Sequence, residues 1–268
     1  MQQGLRLSKH IKSLIPNHWK YPFWYIFKSP QRKLGMHTVL TDVLGLTIYV
    51  TRFFFPKKKL QPLSICTGIY NRSSNYLNRL LNSLEHAEYK HLIELSVFDC
   101  CSDDISDLEA EIRKRWKGKL VFTREPVKFA RSYTFNKAVD QASHELIFIC
   151  DADLSLPKNI VNLCNQYTGK NTVWYPIYFF LYKDKPAILN RENGEWEQYG
   201  SRGMLACTKN AFYDAGRLNE AYTVWGGEDT DLWERFHRRH YIIIRNRVKG
   251  LFHHWHQTFN KKFEHMND

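Results

Sequence analysis

The chain has 268 residues, 43% hydrophobic and 25% charged, which excludes wholesale disorder and collagen-like repeats and allows one sizeable core plus an appendage. Its net charge of +12 is unevenly placed: residues 1–59 hold eleven Lys/Arg against one acid, Asp42, while the near-neutral remainder is no general polyanion binder. Six cysteines without a CxxC pair exclude a disulfide scaffold, a zinc ribbon and thioredoxin-type chemistry, and point to reduced thiols in a reducing compartment.

The first segment interleaves bases with aromatics: Trp19, Tyr21, Phe23, Trp24, Tyr25 and Phe27 lie among Lys12, Lys20, Lys28, Arg32 and Lys33. A hydrophobic run from Leu34 to Phe55 follows, closed by Pro56-Lys57-Lys58-Lys59. His37, Asp42 and Arg52 interrupt it, and a charged group at bilayer depth costs about 2.5–3.5 kcal/mol, so spanning is disfavoured. The start of the chain lacks the pattern of a signal peptide. Three readings compete for residues 1–59: attachment to an anionic membrane surface, an extension packed on the body, and nucleic-acid contact. The first is the expectation, with the body taken as residues 60–268 and no nucleic acid as partner.

From Gln61 the pattern alternates. Leu63–Thr67 is an apolar run between Pro62 and Gly68 and predicts a buried strand. Asn71-Arg72-Ser73-Ser74 starts a helix carrying Leu77, Leu80, Leu81 and Leu84 at helical spacing. Leu92–Phe98 predicts a second strand, Asp104 to Trp116 a helix, and Leu120–Thr123 a third strand. Ser132 to Ala142 reads as a helix, Leu146–Cys150 as a fully apolar strand, and Pro157 as the opening of another helix. Such alternation predicts an α/β fold, a Rossmann-like, mostly parallel sheet flanked by helices with ligands beyond the carboxyl ends of its strands. Those ends carry Thr67 to Arg72, Asp99 to Asp103, and Asp151-Ala152-Asp153.

Three clusters have residue types suited to chemistry. Asp151 and Asp153 directly follow a buried strand and offer hard oxygen ligands for Mg²⁺ or Mn²⁺, or simply a solvated turn with Asp153 as a helix cap. Trp225-Gly226-Gly227-Glu228-Asp229-Thr230-Asp231 places acids at a helix start, where one can act as general base toward a hydroxyl or merely cap. The helix dipole lowers a carboxylate pKa there and the crowding of three acids raises it. In Gly250-Leu251-Phe252-His253-His254-Trp255-His256, two imidazoles three apart suit Mn²⁺, or are ordinary polar histidines.

Together the strings TGIYNR (67–72), FARSYTFNKA (129–138), CDADLSLP (150–157), WEQYGSRGMLAC (196–207), WGGEDTDLWERF (225–236) and KGLFHHWH (249–256) resemble a known family. From Pro62 onward the chain resembles GT-A fold, nucleotide-sugar-dependent glycosyltransferases of the family-two type. Its C-terminal half is similar to the β-1,4-galactosyltransferase and chondroitin N-acetylgalactosaminyltransferase group. The resemblance implies that Arg72, Asp99, Phe129 and Arg131 hold the uridine diphosphate of a UDP-sugar, and that Asp151 and Asp153 are the donor and metal acids. Asp153, His253 and His256 would hold Mn²⁺ or Mg²⁺, Asp229 would be the catalytic base, and Glu228 with Trp225 would line the acceptor pocket. Trp225, Tyr199 and Trp196 are candidates for packing on sugar faces, or ordinary core.

Two departures bear on the sugar transferred. Position 230 is threonine where galactosyltransferases continue a run of acids, and their Tyr-Phe-Gly-Gly stretch reads Gly200-Ser201-Arg202-Gly203. The implied activity is inverting, metal-dependent transfer of Gal or GalNAc from UDP-Gal or UDP-GalNAc to an oligosaccharide or lipid-linked glycan in surface polysaccharide synthesis. The alternative is a catalytically silent sugar-nucleotide-binding or scaffold protein of the same fold. The typical Golgi anchor is not recognised in this sequence. The resulting expectation is a cytoplasmic enzyme, peripheral on the inner face of the cell membrane, with the Golgi lumen as the alternative.

Overall fold

A computed structural model describes residues 35–55, 59–197, 202–223 and 226–256, with the backbone alone for 35–42. The basic aromatic stretch 1–34, and with it most of the charge asymmetry, lies outside the described residues.

The elements in chain order begin with helix α1 (Gly35–Phe54), strand β1 (Leu63–Ile69) and helix α2, built of Ser73–Asn75, a π-wound Tyr76–Leu81 and Asn82–Glu85. Then come β2 (Ile93–Asp99), α3 (Leu108–Arg115), β3 (Lys119–Arg124), α4 (Arg131–Gln141), β4 (Leu146–Ile149), β5 (Leu154–Ser155) and α5 (Ile160–Tyr167). The C-terminal part holds β6 (Thr172–Trp174), β7 (Ile177–Leu181), β8 (Gly194–Trp196), β9 (Leu205–Thr208), α6 (Lys209–Asp214), α7 (Glu228–Arg238), β10 (Ile242–Ile244) and β11 (Arg247–His253).

A seven-stranded sheet has the order β10-β6-β9-β4-β1-β2-β3. Every pairing is parallel except those of β9, which runs antiparallel to β4 and β6. This is the mostly parallel α/β sheet expected from the sequence. The central strands are buried on both sides because helices cover both faces. Leu63, Ile65, Leu146 and Phe148 pack against α2, α3 and α5, while Cys66, Ile147 and Ile149 pack against α4, α6 and α7. On α2, Leu80, Leu81 and Leu84 are fully buried, each contributing about 1.5–3 kcal/mol by removal from water. A smaller sheet, β5-β11-β7-β8, lies beyond the end of β4. All six cysteines are unpaired, five of them buried.

Two expected helix starts are corrected. The helix foreseen from Asp104 begins at Leu108, because Asp107 is its cap and accepts from the Ala110 N–H at 2.9 Å, while Asp104 accepts from the Ser73 N–H and caps α2. Pro157 does not open α5. It packs against Gly250 of β11, where an added Cβ would come within 3.3 Å of its own, and its carbonyl accepts from the Ile160 N–H that starts the helix.

Helix α1 docks on the body. A Cβ on Gly45 would stand 2.6 Å from the Ile243 carbonyl oxygen, so glycine permits close approach to β10. Tyr49 stacks on Tyr167 of α5, Arg52 donates to the Gln166 carbonyl at 2.8 Å, and Gln166 donates back to the Arg52 carbonyl at 2.7 Å. Among the described residues no helix is long and apolar enough to cross a membrane.

Glu94 on β2 is fully buried yet ionised. Ser64 Oγ donates to it at 2.8 Å and the Ser143 N–H at 2.7 Å, and Lys119 Nζ stands at 2.9 Å. Burial alone raises its pKa, but these partners outweigh burial and hold it below the ordinary glutamate value. A lowered folded pKa adds stability that is complete above the unfolded value and is lost as pH falls through the folded one. Glu94→Gln should therefore cost about 1–3 kcal/mol at neutral pH, and the difference from wild type should shrink only at a pH well below the ordinary glutamate value, as the folded-state carboxyl takes up its proton. Urea unfolding at both pH values tests this; an equal cost at both would refute it.

Candidate active site

The site lies where β4, β1 and β2, adjacent in the sheet, end together. Their loops are tied to one another: the Asn71 N–H donates to Ser102 Oγ at 2.9 Å, and the Asp103 N–H to Asn71 Oδ1 at 3.0 Å. Asp99, the last residue of β2, is fully buried; its Oδ1 accepts from the N–H and hydroxyl of Ser102. Its Oδ2 has an ion-pair contact with Arg124 at 3.4 Å but no hydrogen bond among the described residues, leaving an acceptor at the crevice wall. Beside it Phe129 and Tyr70 stack with centroids 6.1 Å apart, and Tyr70 is half exposed.

Strand pairing builds the metal-type cluster. β11 pairs antiparallel with β5, placing His253 opposite Leu154, and the His254 N–H donates to the Asp153 carbonyl at 3.1 Å. Ligand atoms of Asp153, His253 and His256 consequently all lie within 4.8 Å of one another. Asp153 Oδ1 is buried and accepts no hydrogen bond among the described residues, and a carboxylate oxygen with two imidazoles is a donor set that suits Mn²⁺. The residues therefore fit a divalent cation. Burial pushes the Asp153 carboxyl up, but His253, His256 and Arg72 outweigh it and hold it below the usual range.

His253 Nδ1 lies 3.1 Å from the His254 carbonyl, which only accepts, so Nδ1 carries a proton and Nε2 is the ring atom turned to the cluster, 3.7 Å from Asp153 Oδ1. Tyr178 and Phe180 flank that ring. His256 Nδ1 accepts from Arg72 Nη2 at 3.2 Å, and its Nε2 faces Asp153 Oδ2 at 3.2 Å.

The second half forms at the start of α7. Gly226 and Gly227 both have φ of +103°, a conformation side chains disfavour, and a Cβ on Gly227 would press within 2.9 Å of the Tyr222 ring. The three acids that follow are held differently. Asp231 pairs with Arg235 at 2.9 Å; Glu228 pairs with Arg131 at 3.3 Å and accepts from the Gly226 N–H at 3.1 Å. Asp229 accepts from the Thr230 N–H through Oδ1, is in no ion pair, and keeps Oδ2 without a hydrogen bond among the described residues.

Arg131 joins the two halves. From the first turn of α4 its guanidinium lies beneath the crevice floor, 3.2 Å from Asp151 and 3.3 Å from Glu228, and donates to the Gly203 carbonyl at 2.7 Å. Burial lowers its pKa, but Asp151, Glu228 and Asp229 more than reverse that. The crowding of acids at the start of α7 is thereby neutralised from below. Trp225 and Tyr199 lie outside the described residues. Trp196 sits on β8, edge-on to Phe179 and under Arg247, where it completes the small core of the second sheet.

Sequence reasoning missed Arg79. It projects from the π-wound part of α2, is half-buried, and is engaged electrostatically by Asp153 and Arg72. Burial is the main influence and lowers its pKa, and Asp153 opposes that. The one sequence signal was an arginine inside an otherwise core-forming helix.

A family model described as Chondroitin N-acetylgalactosaminyltransferase matches residues 74–264. The chain belongs to this family. Chondroitin sulfate N-acetylgalactosaminyltransferase 1 of Homo sapiens is 29% identical over 133 residues, covering 44% of this chain and 25% of that protein. The chain thus spans about a quarter of the length of the curated relatives it matches first. Among solved structures, a mannosyltransferase of Pyrobaculum calidifontis in complex with GDP-Man and Mn²⁺ superposes with a TM-score of 0.54 at 13% identity, over 85% of this chain and 70% of that one. TarS of S. aureus in complex with UDP-GlcNAc gives 0.55 at 18% identity, over 77% and 61%. The family member thus has the GT-A glycosyltransferase fold expected from its sequence strings.

Proposed function

We propose that this chain is a UDP-sugar-dependent hexosyltransferase that moves GalNAc, or Gal, with inversion to an oligosaccharide or lipid-linked glycan. The observation that carries the reading is the convergence of Asp153, His253 and His256 at the end of β4, with one buried carboxylate oxygen that has no hydrogen bond among the described residues. A divalent cation held there would supply Lewis-acid neutralisation of a departing diphosphate. Asp99 would accept from the nucleobase, and the Phe129–Tyr70 pair would offer it a ring face. Arg72 and Arg79, both near Asp153, would face the diphosphate. Asp229 Oδ2 would take the acceptor hydroxyl's proton, in line with Glu228 and Trp225 lining the acceptor side. Relatives named for GalNAc transfer to chondroitin favour UDP-GalNAc as donor and make a chondroitin-type oligosaccharide the first acceptor to try.

Thermal unfolding with UDP, UDP-GalNAc, UDP-Gal and UDP-GlcNAc, each with Mn²⁺ and with chelator, tests the reading. A ligand at about 100 times its dissociation constant adds about 2.7 kcal/mol, a shift of several degrees for a domain of this size. The expected result is a Mn²⁺-dependent shift largest for UDP-GalNAc. It should be lost in Asp153→Asn and reduced in Arg79→Ala. No shift with any nucleotide would remove the transferase reading, and UDP-sugar binding without turnover on any acceptor would favour the silent alternative.

A further inference from the structure

Helix α1 presents two faces, and the docking described above uses one of them. Gly45, Ile48, Tyr49 and Arg52 recur at helical spacing on the side that meets β10 and α5. A helix lying on a protein ordinarily turns charged and polar residues to water on its other side. Here the outward stripe is apolar: Val43, Leu44, Val50 and Phe54 are exposed, flanked by Phe53 and by Phe55, which is 76% exposed. The two threonines on the same stripe, Thr47 and Thr51, donate their hydroxyls to the Val43 and Thr47 carbonyls at 2.9 and 2.8 Å, so the face offers water no free hydroxyl proton. Contiguous exposed apolar surface of this kind marks an interaction site.

The charge next to the stripe identifies what it meets. Phe53-Phe54-Phe55 is followed after one proline by Lys57-Lys58-Lys59, and residues 1–59 carry eleven bases against one acid. Aromatic rings beside a row of ammonium groups match the two layers of an anionic bilayer surface, with rings at the acyl boundary and ammonium groups on the phosphates. A second copy of the chain would instead bring the same positive excess against itself. We propose that the outward face of α1, with Lys57–Lys59, seats on an anionic lipid bilayer while its inward face holds the body, so that the body is carried at the membrane surface.

Flotation of the full chain tests this with phosphatidylcholine vesicles and with vesicles carrying about 30% phosphatidylglycerol. The expected result is binding to the anionic vesicles that weakens as salt rises. Phe53→Ser with Phe54→Ser should lower partitioning about a hundredfold, since each ring leaves the interface for water. Replacing Lys57, Lys58 and Lys59 by glutamine should lower it by a similar factor. Val50→Glu, one turn earlier on the same stripe, should also weaken it. Val50, Phe53 and Phe54 lie away from the docked face, and an unchanged unfolding temperature confirms that each variant folds. Three outcomes would overturn the proposal: no flotation of the wild type at low salt, flotation unchanged by the phenylalanine substitutions, or a wild-type dimer in light scattering that those substitutions convert to monomer. The last would make the stripe an interface between copies. None of these readouts depends on donor or acceptor chemistry.

Discussion

Asp229→Asn is expected to lower kcat for transfer by about 10²–10⁴-fold, the usual contribution of a general base, while leaving the Mn²⁺-dependent UDP shift intact. The expectation rests on how the three acids at the start of α7 are held. Glu228 and Asp231 are each paired with an arginine, whereas Asp229 is fixed by the Thr230 N–H through Oδ1 and keeps Oδ2 for a proton. Asparagine can keep the Oδ1 contact but loses the basic oxygen, so geometry and proton transfer are separated by one substitution. Asp231→Asn should cost far less, because its carboxylate serves Arg235 within α7. Donor turnover on a chondroitin-type oligosaccharide, measured beside UDP affinity, decides the matter. Residual kcat near wild type, or loss of UDP binding in Asp229→Asn, would move the base elsewhere.

What was legible in the sequence follows from range. The buried parallel strands could be read because Leu63–Ile69, Ile93–Asp99 and Leu146–Ile149 are enclosed on both faces and therefore mostly apolar, broken inside β1 and β2 by Ser64, Thr67, Glu94 and Ser96. The acids at their ends then fell at the crevice by topology alone. The second sheet was not foreseen. Its strands are short, and β5 has only two residues, so no periodicity develops; β11 has a register shift between Arg247 and Phe252 that further blurs alternation. Yet this sheet sets His253 beside Asp153, a pairing 100 residues apart that no local pattern encodes.

The same holds for α1. Its apolar character was plain, but which side meets the body depends on a close approach at Gly45 to a strand nearly 200 residues later. Charge patterning said that residues 1–59 differ from the rest, and only the packed helix separates a face used for docking from one left apolar and exposed. Helix boundaries erred where one acid was assigned to the wrong helix: Asp104 caps α2, not α3, because the loops after β1 and β2 cross there.

Arg131 shows what three-dimensional placement adds to residue identity. The resemblance carried it over as a donor-binding residue, while its guanidinium lies between Asp151 and Glu228, 20 and 97 residues away, over the Phe135 ring. Arg131→Met should destabilise the fold by about 3–5 kcal/mol, because Glu228 is left buried with its partner removed. For a body of this size that is about 10 °C or more in Tm. Adding Glu228→Gln should recover part of the loss, since the uncompensated charge disappears with it, and a double-mutant cycle measures the coupling. Arg131→Lys should fall between, because one ammonium cannot reach Asp151, Glu228 and the Gly203 carbonyl with the fork geometry that the guanidinium uses. If Arg131→Met unfolds at the wild-type temperature and only UDP affinity falls, the guanidinium serves the donor directly. If stability falls and Glu228→Gln restores it, Arg131 is the brace that holds the donor-side and acceptor-side acids in one frame.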